Sequence, residues 1–188
     1  RKNNKLNVKS IEYKEISKAI KKFSTDTYNE DFVTNYSNFN LYLNKTKIKE
    51  KGLEYSKVEQ SFKDFLMTQE QVKKVYNEEE ITHSCGNDYY LNMIANGYDA
   101  KEDGNLVILD KPGYIQYGPT GTSHGTPYAY DTHAPLLFFG WNIPVGESHE
   151  KKYITQIAPT LAQKLGITFP NGSECEVLEE VFVSKITK

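Results

Sequence analysis

Residues 118–140 read GPTGTSHGTPYAYDTHAPLLFFG and hold two of the chain's four histidines, His124 and His133, nine positions apart. Imidazole together with carboxylate is the donor set that zinc and related divalent cations take. A loop of Gly, Thr, Ser, Pro and Tyr lets such a side chain project. His124 is flanked by Ser123 and Gly125, while His133 follows Asp131 and Thr132 and leads straight into an apolar run. Loops at strand ends are where α/β sheets bind ligands. A nine-residue His–His gap matches no compact metal motif. Spacing alone therefore leaves two readings open, metal ligands or two histidines of a solvated turn.

Other reactive residue types are less suggestive. His83 and Cys85 in THSCGND have a spacing that suits metal ligation or a thiol with its base. Nothing beside them orients the pair, and a polar helix start explains them better. Tyr89 and Tyr90 offer a stacking platform, but beside Leu91, Met93 and Ile94 they read as packing residues. His149, in GESHEKK, reads as a solvated loop residue. There is no GxSxG, P-loop or GxGxxG sequence.

The elements that must position the loop follow from periodicity. Val8, Ile11, Ile16, Ala19, Ile20 and Phe23 recur at near-helical spacing, which predicts an amphipathic helix over 8–23. A short strand is expected at Asp31–Thr34, and NFNLYL (38–43) alternates as a half-buried strand does. Lys45–Gly52 is closed by its glycine. In YSKVEQSFKDFLM, Ser56 and Glu59 fit a capping box, and Val58, Phe62, Phe65 and Leu66 form one apolar stripe. VKKVYN (72–77) reads as the returning strand. Glu78–Glu80 reads as a helix start, and DYYLNMIAN (88–96) as a helix closed by Gly97 as a C′ glycine. NLVILD (105–110) and GYIQY (113–117) are strands joined at Lys111–Gly113. Strands and helices over 38–117 thus predict an α+β sandwich of one layer pair. Beyond the loop, PLLFFG (135–140) is a continuous apolar run that suits a strand buried on both faces. YITQIAPTLAQKLGI (153–167) predicts a helix that Pro159 either kinks or begins, and VLEEVFVSKI ends the chain as a short helix or strand.

Composition bounds the classes of function. The 188 residues suffice for one domain or two small ones, and a hydrophobic content of 38% with 13% aromatics permits a substantial core despite a mean hydropathy of −0.65. A net charge of −2 with dispersed lysines gives no nucleic-acid footprint. No apolar run approaches the roughly 18–20 residues of a membrane span. Cys85 and Cys175 are too far apart for a CxxC pair, which leaves a disulfide or two buried thiols. The start at RKNNKLNVKS, without Met, suggests a piece of something longer.

SHGTPYAYDTHAPLLFFGWNIPVGE followed by YITQIAPTLAQKLGITFPNG resembles the C-terminal signature of the alkaline phosphatase superfamily. The group is the bacterial phosphate-irrepressible type, related to nucleotide pyrophosphatase/phosphodiesterases. NLYLNKTKIKEKGLEYSKVEQSFKDFLMTQEQVKKVY and NGYDAKEDGNLVILDKPGYIQY agree in order, so the resemblance spans roughly residues 38–172. It implies a fragment of an α/β alkaline-phosphatase-like fold, α+β in content. Residues 1–37 would be an N-terminal helix and polar connector, and 38–117 an accessory α+β subdomain. Residues 118–188 would supply the ligand loop, one strand and one helix of the main domain.

The resemblance further implies a two-zinc hydrolase of phosphate mono- or diesters in the parent protein. By the Thr/Ser-His-Gly pattern the metal ligand would be His124, with His133 as the alternative or as a neighbour orienting the loop. The family's first ligand Asp, its nucleophile, the Asp-x-x-x-His pair and the Asp-His-Gly motif have no counterpart in this sequence. No catalytic residue is therefore assigned, and the isolated chain is expected neither to hold zinc nor to turn over phosphate esters. A non-catalytic binding or interaction module derived from the same fold is the alternative. Expected partners are a phosphate ester in the parent, the N-terminal part of the same protein, and a second copy of the chain as a homodimer. The family implies a periplasmic or secreted setting.

Overall fold

The strand within NLVILD organises most of the chain. The computed structural model describes residues 9–10, 12–115 and 124–182, and the chain divides into two units, Arg1–Ala134 and Pro135–Lys188. In the first unit, β1 is Lys9–Ser10, α1 Tyr13–Tyr28, β2 Val33–Ser37 and β3 Asn40–Leu43. Then come α2 Lys45–Glu50, α3 Tyr55–Met67, β4 Val72–Asn77, α4 Glu78–Thr82 and α5 Tyr89–Ala95. β5 Leu106–Asp110, β6 Tyr114–Ile115 and α6 Ala129–Thr132 complete it. Strands β2, β3, β5 and β4 lie in that order in an antiparallel sheet, and β1 pairs in parallel with β6.

All five residues of β5 are buried. Their side chains alternate between two cores. Leu106 and Ile108 join Ile16, Ile20, Phe62 and Leu66 of α1 and α3. Val107 and Leu109 join Tyr76, Ile81 and Tyr128, with Tyr90, Leu91, Ile94 and Tyr98 against them. The sheet is therefore covered on both faces, not on one as the expected single layer pair implied. A continuous apolar run reads the same whether its neighbours cover one face or two, and only the packing distinguishes them.

Several local expectations shift in register. Helix α1 starts at Tyr13 and runs to Tyr28, later at both ends than expected, with Asn29 closing it in left-handed conformation (φ 54°); Val8 and Ile11 lie outside the described residues. Ser24 explains the longer helix: its buried hydroxyl donates to the Glu30 carbonyl at 2.8 Å and accepts the Phe32 amide at 2.9 Å. The strand placed at Asp31–Thr34 is β2, two residues later. Its hairpin to β3 turns at Asn38 and Phe39 with φ of 49° and 65°, the left-handed pair of a type I′ turn. The Ser56–Glu59 capping box does not form. The helix begins one residue before Ser56, whose hydroxyl donates instead to the Glu54 carboxylate. A capping box forms at α4, where Asn77 and Glu80 exchange side-chain-to-backbone bonds. Gly97 is not in the left-handed region; its amide bonds to the Ile94 carbonyl and tightens the last turn of α5.

The second unit is built differently. A 3₁₀ turn at Ile154–Gln156 leads into α7, Ile157–Leu165, which Gly166 closes at φ 66°. Pro159 occupies the third helical position, within the first turn, where its missing amide costs no helical bond, so it neither kinks α7 nor begins it. Pro159, Thr160, Ala162, Leu178 and Val181 are buried. The Thr160 hydroxyl donates to the Gln156 carbonyl and accepts the Leu178 amide at 2.9 Å. The terminal element is a 3₁₀ turn at Glu179–Val181, and Val183 to Ile186 of the expected VLEEVFVSKI element lie outside the described residues.

The expected buried strand PLLFFG is not a strand. Residues 134–139 have no regular structure, and Leu137 and Phe139 project into solvent. A strand is a pairing, and no described segment of this chain pairs with it.

Candidate functional site

The loop that carries His124 and His133 is shaped by its own polar side chains. The Asp131 carboxylate accepts the Thr126 amide at 3.0 Å and the Thr126 hydroxyl through the same oxygen. That staple closes the turn over Pro127 and Tyr128. The Asp131 and Thr132 amides both reach the Tyr128 carbonyl, at 2.8 and 3.0 Å, and the His133 amide reaches Ala129 at 2.9 Å. So α6 is one tight turn, held at its front by Thr126–Asp131 and ended by His133.

Tyr128 anchors this turn to the sheet. Its ring is buried, and its hydroxyl donates to the Asp110 carbonyl at the end of β5, at 2.6 Å. The Tyr90 ring meets it edge-on with centroids 5.2 Å apart, and the Tyr130 ring, tilted, lies 5.5 Å away. The Lys73 ammonium of the edge strand β4 sits 4.0 Å from the Tyr90 centroid and 5.5 Å from that of Tyr128, a cation–π arrangement. Burial first, and then the neighbouring Tyr90, Tyr130 and Asp110 groups, push the Tyr128 phenol up to about 12, so it remains a donor across the ordinary pH range. Neither Tyr128 nor Asp131 stood out in the sequence as a positioning residue. The signal available was Thr126 and Asp131 five apart around a tyrosine, a pattern of local side-chain capping.

The same face carries a cleft of about 340 Å³, bordered by Phe39, Met93, Ile94, Tyr98, Thr126 and Thr132 among others. The loop thus forms one wall of a partly apolar depression beside the C-terminal end of β5.

His124 and His133 are both exposed, the first where the described loop begins and the second at the end of α6. Among the described residues no three His, Cys, Asp or Glu side chains gather as a metal site requires. Zinc takes three or four protein ligands, so the residues described do not by themselves make a zinc centre. His83 ends α4, where a helix start was expected, and its Nδ1 lies 2.9 Å from the Glu79 carbonyl. Cys85 is an exposed free thiol, so it is neither buried nor bridged. Cys175 is a half-buried free thiol whose Sγ lies 3.0 Å from Thr155 Oγ1. Tyr89 is exposed while Tyr90 packs. His149 is exposed and 2.8 Å from the Glu147 carboxylate.

Comparison with known proteins assigns the class. The fold superimposes on the crystal structure of the alkaline phosphatase PafA with a TM-score of 0.82 at 30% identity, over 90% of this chain and 33% of that one. This is a partial alkaline-phosphatase fold, α+β in content. In sequence the chain is 33% identical over 174 residues to alkaline phosphatase PafA of Elizabethkingia meningoseptica, 89% of this chain and 30% of the relative. It is 32% identical over 134 residues to alkaline phosphatase PhoV of Synechococcus elongatus, 71% of this chain and 24% of the relative. No family model matches the chain. The chain is related to the PafA and PhoV alkaline phosphatases over 89% and 71% of its own length, and spans about a third or less of theirs. No helix of the described residues is long and apolar enough to cross a membrane.

Proposed function

We propose that this chain is one portion of a metal-dependent hydrolase of phosphate mono- or diesters. In this reading it supplies His124 as a ligand, and the nucleophile and remaining ligands come from polypeptide outside it. The observation that carries the reading is the similarity to PafA across nine-tenths of this chain and only a third of that structure. His133, at the end of the stapled turn, acts as a neighbour that orients the loop. The parent's partners are a phosphate ester and the remaining fold, in a periplasmic or secreted setting. Zinc, once bound by the complete ligand set, would supply Lewis-acid polarisation of the phosphoryl oxygens. This chain's part is to hold one imidazole on a turn braced by Tyr128 and Asp131.

Two measurements test this. The purified 188-residue chain should hydrolyse p-nitrophenyl phosphate no faster than buffer, with or without zinc; turnover that scales with zinc would show the site complete here and overturn the reading. Separately, residues 118–134 of this chain replace the corresponding loop of PafA. In that chimera His124→Ala should abolish zinc retention and turnover. His133→Ala should weaken metal affinity only by the roughly 10–100-fold typical of an outer partner. A fully active His124→Ala chimera sinks the ligand assignment and favours a non-catalytic module.

A further inference from the structure

The cleft beside the histidine loop is built by the first unit alone. Its walls are the β2–β3 turn, α5 with the stretch that follows it, the end of β5, and Gly125 and Thr126 of the loop. Its rim is fixed by bonds within that unit. The Asn40 side chain donates to the Asn38 carbonyl at 3.1 Å and accepts the Gly104 amide at 3.0 Å, and the Tyr98 hydroxyl donates to the Gly104 carbonyl at 3.3 Å. Phe39, Met93, Ile94 and Pro127 give the cleft an apolar lining, and its volume of about 340 Å³ admits one aromatic ring with a short substituent. The ionisable groups of acid type that border it are the carboxyls of Asp103 and Asp110, and no Lys, Arg or His is among the described residues that line it. Asp103 is held in place by the Asp99 amide, which donates to it at 2.8 Å. Residues 116–123, QYGPTGTS, contain no cationic side chain that the loop could add. Phosphoryl oxygens are recognised by Arg, Lys and other charge-assisted donors, so this lining has the wrong sign for them.

We infer that this cleft takes the alcohol portion of the phosphate ester, and that it selects apolar alcohols that are neutral or cationic over alcohols bearing a further negative charge. The inference rests on the proposed hydrolase reading and names its substrate class. Gly125 and Thr126, which border the cleft, directly follow His124 in the chain, so the proposed metal ligand and the cleft are neighbours on one loop. Burial of a ring against Met93 and Ile94 supplies affinity without regard to charge. Repulsion from the two carboxyls supplies the discrimination, because a second anionic group on the alcohol meets no cation there.

The test separates binding from catalysis. The full 188-residue chain, labelled with ¹⁵N, is titrated with benzyl alcohol, benzylamine and benzoate, three probes that share one ring and differ in charge. The first two should bind saturably in the millimolar range, shifting the amides of Met93, Ile94, Tyr98 and Thr126, and benzoate should bind at least ~10-fold more weakly than benzylamine. Asp103→Asn should narrow that gap, and Met93→Trp, which fills the cleft, should weaken all three probes; far-UV circular dichroism checks that each variant keeps the fold. The titrations of the unaltered chain decide the matter whatever the variants do. Absence of saturable shifts, shifts centred on another surface, or benzoate binding as tightly as benzylamine overturns the inference. For turnover, this chain replaces the aligned third of PafA, and kcat/KM is compared for phenyl phosphate and 4-carboxyphenyl phosphate. A ratio of at least ~10 that Asp103→Asn lowers is expected, and equal values overturn the assignment of the cleft to the alcohol. Activity that survives His124→Ala refutes the proposed ligand role alone and leaves the selectivity read from binding in place.

Discussion

Tyr128→Phe isolates the bond that ties the histidine loop to the sheet. The substitution removes one oxygen and keeps the buried ring, its edge contact with Tyr90 and the ammonium of Lys73 above it. What is lost is the 2.6 Å hydrogen bond to the Asp110 carbonyl at the end of the central strand. A buried hydrogen bond contributes about 1 kcal/mol net, and leaving its acceptor short of a donor raises the cost toward 2 kcal/mol. With a urea m-value of about 2 kcal/mol/M, the midpoint should fall by roughly 0.5–1 M, with the slope unchanged. Unfolding is followed by far-UV circular dichroism, dominated by the first unit. Hydrogen exchange at the Asp131, Thr132 and His133 amides should accelerate in the variant, since all three are held in the turn that Tyr128 anchors. Tyr90→Phe is the control: it loses a hydroxyl from the same cluster while its ring stays in place. If Tyr128→Phe shifts the midpoint no more than Tyr90→Phe, the hydroxyl is not an anchor and the argument fails.

Other expectations follow from the same sheet. The Asp88 carboxylate accepts the Tyr90 and Leu91 amides at 3.1 Å each and pairs with Lys74 at 2.7 Å. The Lys74 ammonium above all holds its pKa down, from 3.8 to about 2. A carboxyl depressed in the folded state stabilises above its unfolded value, and that contribution is lost as pH falls from about 4 to 2. Acid titration of the melting temperature should thus show a slope in that window that Asp88→Asn removes, and an unchanged slope would refute the role. Asp88→Ala should cost about 1 kcal/mol through loss of the α5 cap. Gly104→Ala would set its Cβ 2.7 Å from the Leu41 carbonyl oxygen and 2.9 Å from the Leu41 nitrogen. Backbone on the paired strand cannot swing away, so a loss of about 1–3 kcal/mol is expected in urea unfolding. Gly86→Ala meets nothing within 4 Å and should be near neutral.

Much of the fold was legible because it is locally encoded. The stripe Val58, Phe62, Phe65, Leu66 specifies α3, VKKVYN matches β4, and the apolar run in NLVILD specifies a strand whatever surrounds it. The relationship to alkaline phosphatases was legible too, and the similarity to PafA over 89% of the chain bears it out. Boundaries were less legible. A helix end is settled by one side chain, such as Ser24 reaching forward to Phe32, and periodicity does not register that bond. Ser56 illustrates the converse: a capping sequence without its cap, because the helix had already begun at Tyr55.

What the residues alone could establish was the set of apolar runs and the ancestry of the histidine loop, for these depend on neighbours along the chain. Tertiary structure decided what each run meets. LVILD is buried on both faces because α1 and α3 arrive from one side and α5 and Tyr128 from the other. PLLFFG has an equally continuous apolar run, yet it stays in solvent, with no described strand beside it. Periodicity reports that a segment needs cover. Only the placement of residues distant in sequence determines whether the cover is there, because the hydrophobic effect acts on the water removed and not on the pattern that invites its removal.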